Sequence, residues 1–214
     1  GTFDHDSDSK TACQACAAGT YDDDGDPLTA CVACGIGYET NSATGASTCT
    51  ACPAGTYDHD SDSSTACIAC AAGSTTNTFD ASGARTCTAC AAGDYDHDLD
   101  STTACQTCSA TGSVTDTLAS SGATTCTVCP AGTVWTSHTV ACAPCAAGTY
   151  DDDHADASKA CATCAAGSIT DTLATAGATT CTACAAGEYD HDSNSTTACQ
   201  TCAAGTYQGS TGQT

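Results

Sequence analysis

Cys-x-x-Cys recurs eleven times in this chain, with the pairs beginning at residues 13, 31, 49, 67, 87, 105, 126, 142, 161, 181 and 199. Successive starts are 18, 18, 18, 20, 18, 21, 16, 19, 20 and 18 residues apart. The pairs use every cysteine in the chain, 22 in 214 residues, which is the density of a disulfide scaffold. A spacing this regular constrains the fold more than any other feature. It calls for a series of small, similar units read off one after another.

Residues 52–70 show the unit in full: Cys52, a short turn to Gly55, Tyr57, an acidic run from Asp58, and the closing Thr-Ala-Cys67-x-x-Cys70. Two loop types alternate through most of the chain. Acidic loops carry Gly-x-Tyr, at Gly19–Tyr21, Gly55–Tyr57, Gly93–Tyr95, Gly148–Tyr150 and Gly187–Tyr189. Threonine loops end in a Gly-Ala-x-Thr-Cys turn, at residues 71–87, 109–126 and 165–181, with 35–49 as a shorter version. Residues 130–142, with Trp135 and His138, interrupt the alternation. The 1–214 segment is expected to form one continuous array of about eleven repeats. Its loops are 16–31, 34–49, 52–67, 70–87, 90–105, 108–126, 129–142, 145–161, 164–181 and 184–199. Residues 1–13 lack an opening cysteine, 203–214 start a loop without closing it, and no secretory leader or initiator Met is present. The chain is therefore expected to be cut from a longer array, with Cys13 and Cys202 pairing beyond its ends.

Such an array cannot rest on a conventional hydrophobic core. Leu, Ile, Val and Phe together number 14, and the 41% hydrophobic content is mostly Ala and Cys. At a net charge of −22 that composition would leave a chain disordered without covalent staples. Turn-forming residues recur every few positions and no 3.6-residue apolar period survives, so little or no helix is expected. The Gly-x-Tyr and Thr-Cys-Thr segments are long enough for short β-hairpins. The expected fold class is small disulfide-rich repeats in an elongated, solenoid-like tandem rod whose modules contact mainly their neighbours.

Spacing restricts the pairing of the cysteines without deciding it. Joining the second cysteine of each pair to the first of the next encloses loops of 12 to 17 residues, each stabilised by about 3 kcal/mol. An interleaved pattern, or bonds within each Cys-x-x-Cys, remain as alternatives. Cys-x2-Cys-x14-Cys-x2-Cys also has the formal spacing of a zinc site. The acidity of the chain and the lack of any grouping into fours argue against zinc.

The pattern Cys-x-x-Gly-x-Tyr, about nine loop residues, then Cys-x-x-Cys resembles the single-disulfide module of tumour-necrosis-factor-receptor cysteine-rich domains. It is more similar still to ephrin-receptor-like cysteine-rich tandem repeats. Cys52-Pro-Ala-Gly-Thr-Tyr-Asp and Ser64-Thr-Ala-Cys67 are similar to large surface proteins of protists, including those of flagellar hairs (mastigonemes). The resemblance covers residues 1–207. It implies the consecutive pairing Cys16–Cys31, Cys34–Cys49, Cys52–Cys67, Cys70–Cys87, Cys90–Cys105, Cys108–Cys126, Cys129–Cys142, Cys145–Cys161, Cys164–Cys181 and Cys184–Cys199. It also implies that each loop's Tyr packs on its own disulfide. Val134-Trp135 stands where Tyr is expected, and there the pattern departs from the family's.

The acidic runs are the remaining candidate chemistry. Asp58, Asp60 and Asp62 stand at i, i+2 and i+4, as do Asp96, Asp98 and Asp100, Asp22, Asp24 and Asp26, and Asp4, Asp6 and Asp8. Alternate carboxylates can wrap Ca2+ as in the first half of an EF-hand loop, though at low affinity without the bidentate Glu at position 12. The plainer reading is a solvated turn that keeps the array soluble. His5, His59, His97 and His191 lie inside these runs and read as surface residues rather than ligands. No nucleophile elbow, phosphate loop or dinucleotide fingerprint occurs, so the chain is not expected to be an enzyme.

Covalent glycans are expected on exposed hydroxyls at Thr75, Thr76, Thr78, Thr115, Thr117, Thr170 and Thr172, and at the sequon Asn194-Ser195-Thr196. With Lys10, Arg85 and Lys159 as its cations, the chain is a poor partner for nucleic acid, and it has no apolar run long enough to span a membrane. Disulfide density places it outside the cell or at the cell surface. The function expected is that of a structural, self-associating subunit of an extracellular filament or appendage such as a flagellar hair. Tyr21, Tyr57, Tyr95, Tyr150 and Tyr189, with Tyr38 and Tyr207, would supply lateral contacts. A receptor or adhesion ectodomain that binds a protein ligand is the alternative.

Overall fold

The computed structural model describes residues 1–151, 160–206 and 209–214. Lys159 and Tyr207 lie outside the described residues. Ten disulfides join consecutive cysteines from Cys16–Cys31 to Cys184–Cys199, with sequence separations of 13 to 18 residues. Cys13 and Cys202 are unbonded. The chain divides into two compact units, residues 1–106 with 121–124, and residues 107–120 with 125–214.

Both units are built from the same device. After each loop's first cysteine a glycine turns the chain, two or three residues extend, and they pair antiparallel with the residues around the next Cys-x-x-Cys. In the first unit Thr20–Tyr21 pairs with Val32–Ala33, Thr56–Tyr57 with Ile68–Ala69, and Ser74–Thr76 with Cys87–Ala89. In the second, Ser113–Thr115 pairs with Cys126–Val128, Ser168–Thr170 with Cys181–Ala183, and Glu188–Tyr189 with Gln200–Thr201. The strands stop after two or three residues because a cystine and a turn glycine sit at either end. No helix occurs among the described residues.

What is buried is small. Cys16, Cys52 and Cys108, together with Ala84, Ala123 and Ala178, have no exposed surface. They are joined in the interior by threonines rather than by large aliphatic side chains. Leu28, Leu99 and Val128 stay exposed. The tyrosines of the acidic loops are half-buried, and Tyr38 is exposed. Small side chains let backbones approach until they bond each other directly, which replaces the missing core with hydrogen bonds between loops.

Those bonds follow the alternation. An acidic loop meets the threonine loop after it through a parallel bridge, as at Tyr21↔Ala46, Tyr57↔Ala84, Tyr95↔Ala123 and Tyr150↔Ala178. Two backbone bonds flank the bridge: Asp58 N–H donates to the Ala84 carbonyl at 3.1 Å, and Gly83 N–H to the Cys52 carbonyl at 2.8 Å. The buried alanine of Gly-Ala-x-Thr-Cys is thus the bridge partner, and a larger residue would hold the two backbones apart.

Beside these bonds between immediate neighbours, loops also touch the loop after next. Between acidic loops a serine reaches a turn glycine: Ser101 Oγ donates to the Gly55 carbonyl, and Ser195 Oγ to the Gly148 carbonyl, both at 3.1 Å. Between threonine loops glycine meets glycine. A side-chain carbon at Gly73 would overlap the Gly122 carbonyl, and one at Gly167 the Gly212 carbonyl. Both Gly73 and Gly167 hold positive φ, 77° and 78°, so glycine is required there twice over.

Candidate functional site

The junction between a threonine loop and the acidic loop after it gathers the buried polar groups of the molecule. In residues 164–199 the tight turn of the threonine loop aims the Gly167 N–H at the Asp190 carboxylate, which accepts it at 3.2 Å. Asp190 is 3% exposed. Three residues on, Thr170 N–H donates to the Ser195 carbonyl at 3.0 Å. The Thr170 hydroxyl, itself buried, points at the carbonyls of Leu173 and Ser195. The first unit repeats this clamp with Gly73 on Asp96 and Thr76 on Ser101, and again with Gly37 on Asp58 and Thr40 on Ser63.

This geometry divides the carboxylates that the sequence groups. Asp58 and Asp96 turn inward to a glycine of the preceding loop. Asp60 and Asp98 instead serve their own turns, accepting the N–H of Asp62 or Asp100 and the hydroxyl of Thr65 or Thr103. Asp62 holds the Ser64 N–H, and Asp100 holds both the N–H and the hydroxyl of Thr102. In residues 16–31, Asp22 accepts the Gly25 N–H, Asp24 the Asp26 N–H and Thr29 hydroxyl, and Asp26 the Leu28 N–H. Among the described residues no three or more His, Cys, Asp or Glu side chains come together as a metal site. The alternate spacing therefore codes for successive Asx-type turns, and the first Asp of the runs at Asp58, Asp96 and Asp190 makes the clamp, whereas Asp4 and Asp22 serve their own turns.

The turn carboxylates titrate accordingly. The Thr11 hydroxyl leads in holding Asp6 below the ordinary value of 3.8, and the Asp62 N–H leads in doing the same for Asp60. For Asp192 the Thr197 hydroxyl is the main cause, helped by the Asn194 N–H and by His191. The histidines of the runs stand 3.5–3.7 Å from the following carboxylate, as in His97–Asp98 and His191–Asp192. The residue after each Asp-His-Asp holds positive φ. It is Ser7, Ser61, Leu99 and Ser193 in turn, with Gly25 at the equivalent place.

Residues 130–142 contain no charged side chain, and they rebuild the clamp with aromatic groups. Trp135 Nε1 donates to the Ser113 carbonyl at 2.9 Å, and His138 Nδ1 contacts the same oxygen at 2.8 Å. A carbonyl only accepts, so Nδ1 carries the proton. The two rings lie 5.0 Å apart. Thr115 N–H donates to the His138 carbonyl, which takes the place that Ser195 holds for Thr170. On its C-terminal side the same loop behaves as a threonine loop. Gly132 N–H donates to the Asp151 carbonyl, and Gly132 packs against Gly177 as Gly167 does against Gly212.

The hydroxyls expected to carry sugars are of two kinds. Thr76, Thr115 and Thr170 are at most 1% exposed and bonded inward, so they are removed from the set. Alternation along a three-residue strand buries them. Thr78, Thr117 and Thr172 are half-exposed, each donating to a carbonyl of its own turn at 2.8 Å. Thr75 is half-buried and Asn194 exposed. The buried clamp carboxylates and threonines escape a reading of single loops, because partners stand 21 to 25 residues apart. The available signal was the Asp that follows Tyr in every acidic loop and is absent where Trp135 stands.

A groove of about 400 Å³ lies between Tyr21 and Tyr38, floored by Ala33, Gly35, Thr48 and Cys49. No helix of the described residues is long and apolar enough to cross a membrane. No curated protein matches the chain. Residues 37–82 match the family described as tyrosine-protein kinase ephrin type A/B receptor-like. Flanking loops repeat the cysteine spacing and pairing of that segment. The chain is a tandem array of cysteine-rich repeats, ephrin-receptor-like over residues 37–82, of the kind that disulfide density assigns to the cell exterior or surface.

Proposed function

We propose that this chain is a non-catalytic stretch of an extracellular receptor-like or adhesion ectodomain that binds a protein ligand. The match of residues 37–82 to the ephrin-receptor-like family carries the reading, because repeats of that type are typically parts of ectodomains rather than enzymes. The acidic turns on the surface favour a ligand with a basic face. A second reading, a self-associating subunit of an extracellular filament or appendage, is supported by the uniformity of the loops. The same bonds recur from Gly37 to Gly167, and a repeated surface lets weak contacts add. In that reading calcium acts as a counter-ion between acidic chains, and glycans and the half-exposed tyrosines line the contacts. Sedimentation of the fully oxidised chain with millimolar calcium separates the two. A monomer at high concentration supports the ectodomain, and polymers that a chelator disperses support the filament.

A further inference from the structure

We propose that Asn194 carries an N-linked glycan, mounted on a side-chain amide nitrogen that the fold leaves unused. Asn194 occupies in residues 184–199 the place that Asp100 holds in residues 90–105. The two side chains do the same work. Asn194 Oδ1 accepts the Thr196 N–H at 3.1 Å and the Thr196 hydroxyl at 2.7 Å. Asp100 Oδ1 accepts the Thr102 N–H at 2.9 Å and the Thr102 hydroxyl at 2.7 Å. The turn therefore needs one acceptor oxygen, which aspartate and asparagine both supply.

Only asparagine adds an amide nitrogen. The hydrogen bonds at Asn194 use Oδ1 and the backbone, and none among the described residues uses Nδ2. The residue is exposed. Its neighbours are anchored, since Ser195 O accepts the Thr170 N–H at 3.0 Å and Ser195 Oγ donates to the Gly148 carbonyl at 3.1 Å. A substituent on Nδ2 leaves every one of these bonds in place and projects from the turn into solvent. Asn194-Ser195-Thr196 also supplies the hydroxyl that an N-glycosylation acceptor requires two residues after the asparagine. The donor class is an oligosaccharide on a polyprenyl pyrophosphate. The bond between its anomeric carbon and the pyrophosphate oxygen breaks, and the pyrophosphate leaves with the electron pair. Nδ2 bonds the anomeric carbon and gives one proton to a base.

The test is to secrete the full chain from a eukaryotic host that N-glycosylates, and to confirm its disulfides by peptide mapping. Intact mass is then measured before and after peptide-N-glycosidase. The expected result is one glycan, removed by the enzyme and absent from Asn194→Asp, which keeps the acceptor oxygen and therefore the fold. Asp100→Asn, followed as it is by Ser101-Thr102, should gain a second glycan. An oxidised wild-type chain with no enzyme-removable mass overturns the proposal. So does an oxidised Asp100→Asn chain that stays singly modified, because the turn then does not present the site.

Discussion

Residues 164–199 and residues 108–142 meet one structural demand with different chemistry. Each joins a threonine loop to the loop after it, and in each a buried threonine N–H, of Thr170 or Thr115, is taken by a backbone carbonyl across the junction. Beside it the first region buries a carboxylate, Asp190, on the Gly167 N–H. The second instead places an indole and an imidazole on the Ser113 carbonyl. One clamp brings an acceptor to a donor, and the other brings donors to an acceptor. A fold stapled at every loop needs the junction's polar groups satisfied, and is indifferent to which side supplies the donor.

The largest test removes a staple from each region. Replacing Cys184 and Cys199 together by serine, and separately Cys129 and Cys142, should each cost about 3 kcal/mol of local stability. Separations of 15 and 13 residues alter the loop-closure entropy by only about 0.1 kcal/mol. Hydrogen exchange of the otherwise oxidised chain measures both. A clearly smaller loss at 129–142 would show that the ring pair holds its loop without the disulfide.

Next in size is Asp190→Ala. It leaves the buried Gly167 N–H without its acceptor and should cost about 1–3 kcal/mol, read by denaturant titration. Asp192→Ala, at an exposed turn, should cost distinctly less, and equal losses would erase the distinction between clamp and turn. Trp135→Phe should cost less than Asp190→Ala, about 1 kcal/mol, because His138 still satisfies the Ser113 carbonyl. A larger loss in the Phe variant would mean that the indole N–H, and not the ring pair, holds the junction.

The smallest effect separates the regions by pH. Asp192 titrates below its ordinary value of 3.8, so its bonds to Thr197 and Asn194 contribute stability above that value. That contribution is lost as pH falls through the lower, folded value. Measured as protection relative to the intrinsic exchange rate at each pH, the amides across 192–197 should therefore lose protection on acidification below 3.8. Residues 133–140 carry no carboxylate and should not change over that range. Parallel loss of protection in both would show global opening rather than loss of one turn.

The cysteine spacing made the fold class legible because each staple closes within its own loop, where sequence distance and spatial distance agree. Short hairpins were legible at Gly-x-Tyr for the same reason. Asp58 and Asp60 show where legibility ended. They are the same residue type two positions apart, yet one is buried against Gly37 and the other faces its own turn, and the difference lies in a loop 21 residues away. Thr75 and Thr76 differ likewise, through the side of a three-residue strand on which each falls. A composition so poor in large apolar residues draws no apolar stripe along the chain from which such sidedness could be read.

The glycine approaches between alternate threonine loops give the array a parity. A unit that meets both its first and its second neighbour must match two faces, so ordinary loops can be gained or lost only by twos. Residues 130–142 stand as a single unit between the threonine loop 108–126 and the acidic loop 145–161, and they carry both identities at once. His138 offers an acidic loop's carbonyl backward to Thr115, and Gly132 offers a threonine loop's glycine forward to Gly177. Excising that one loop would leave the alternation of acidic and threonine loops intact. Excising any other would set two like faces against each other down the rest of the chain.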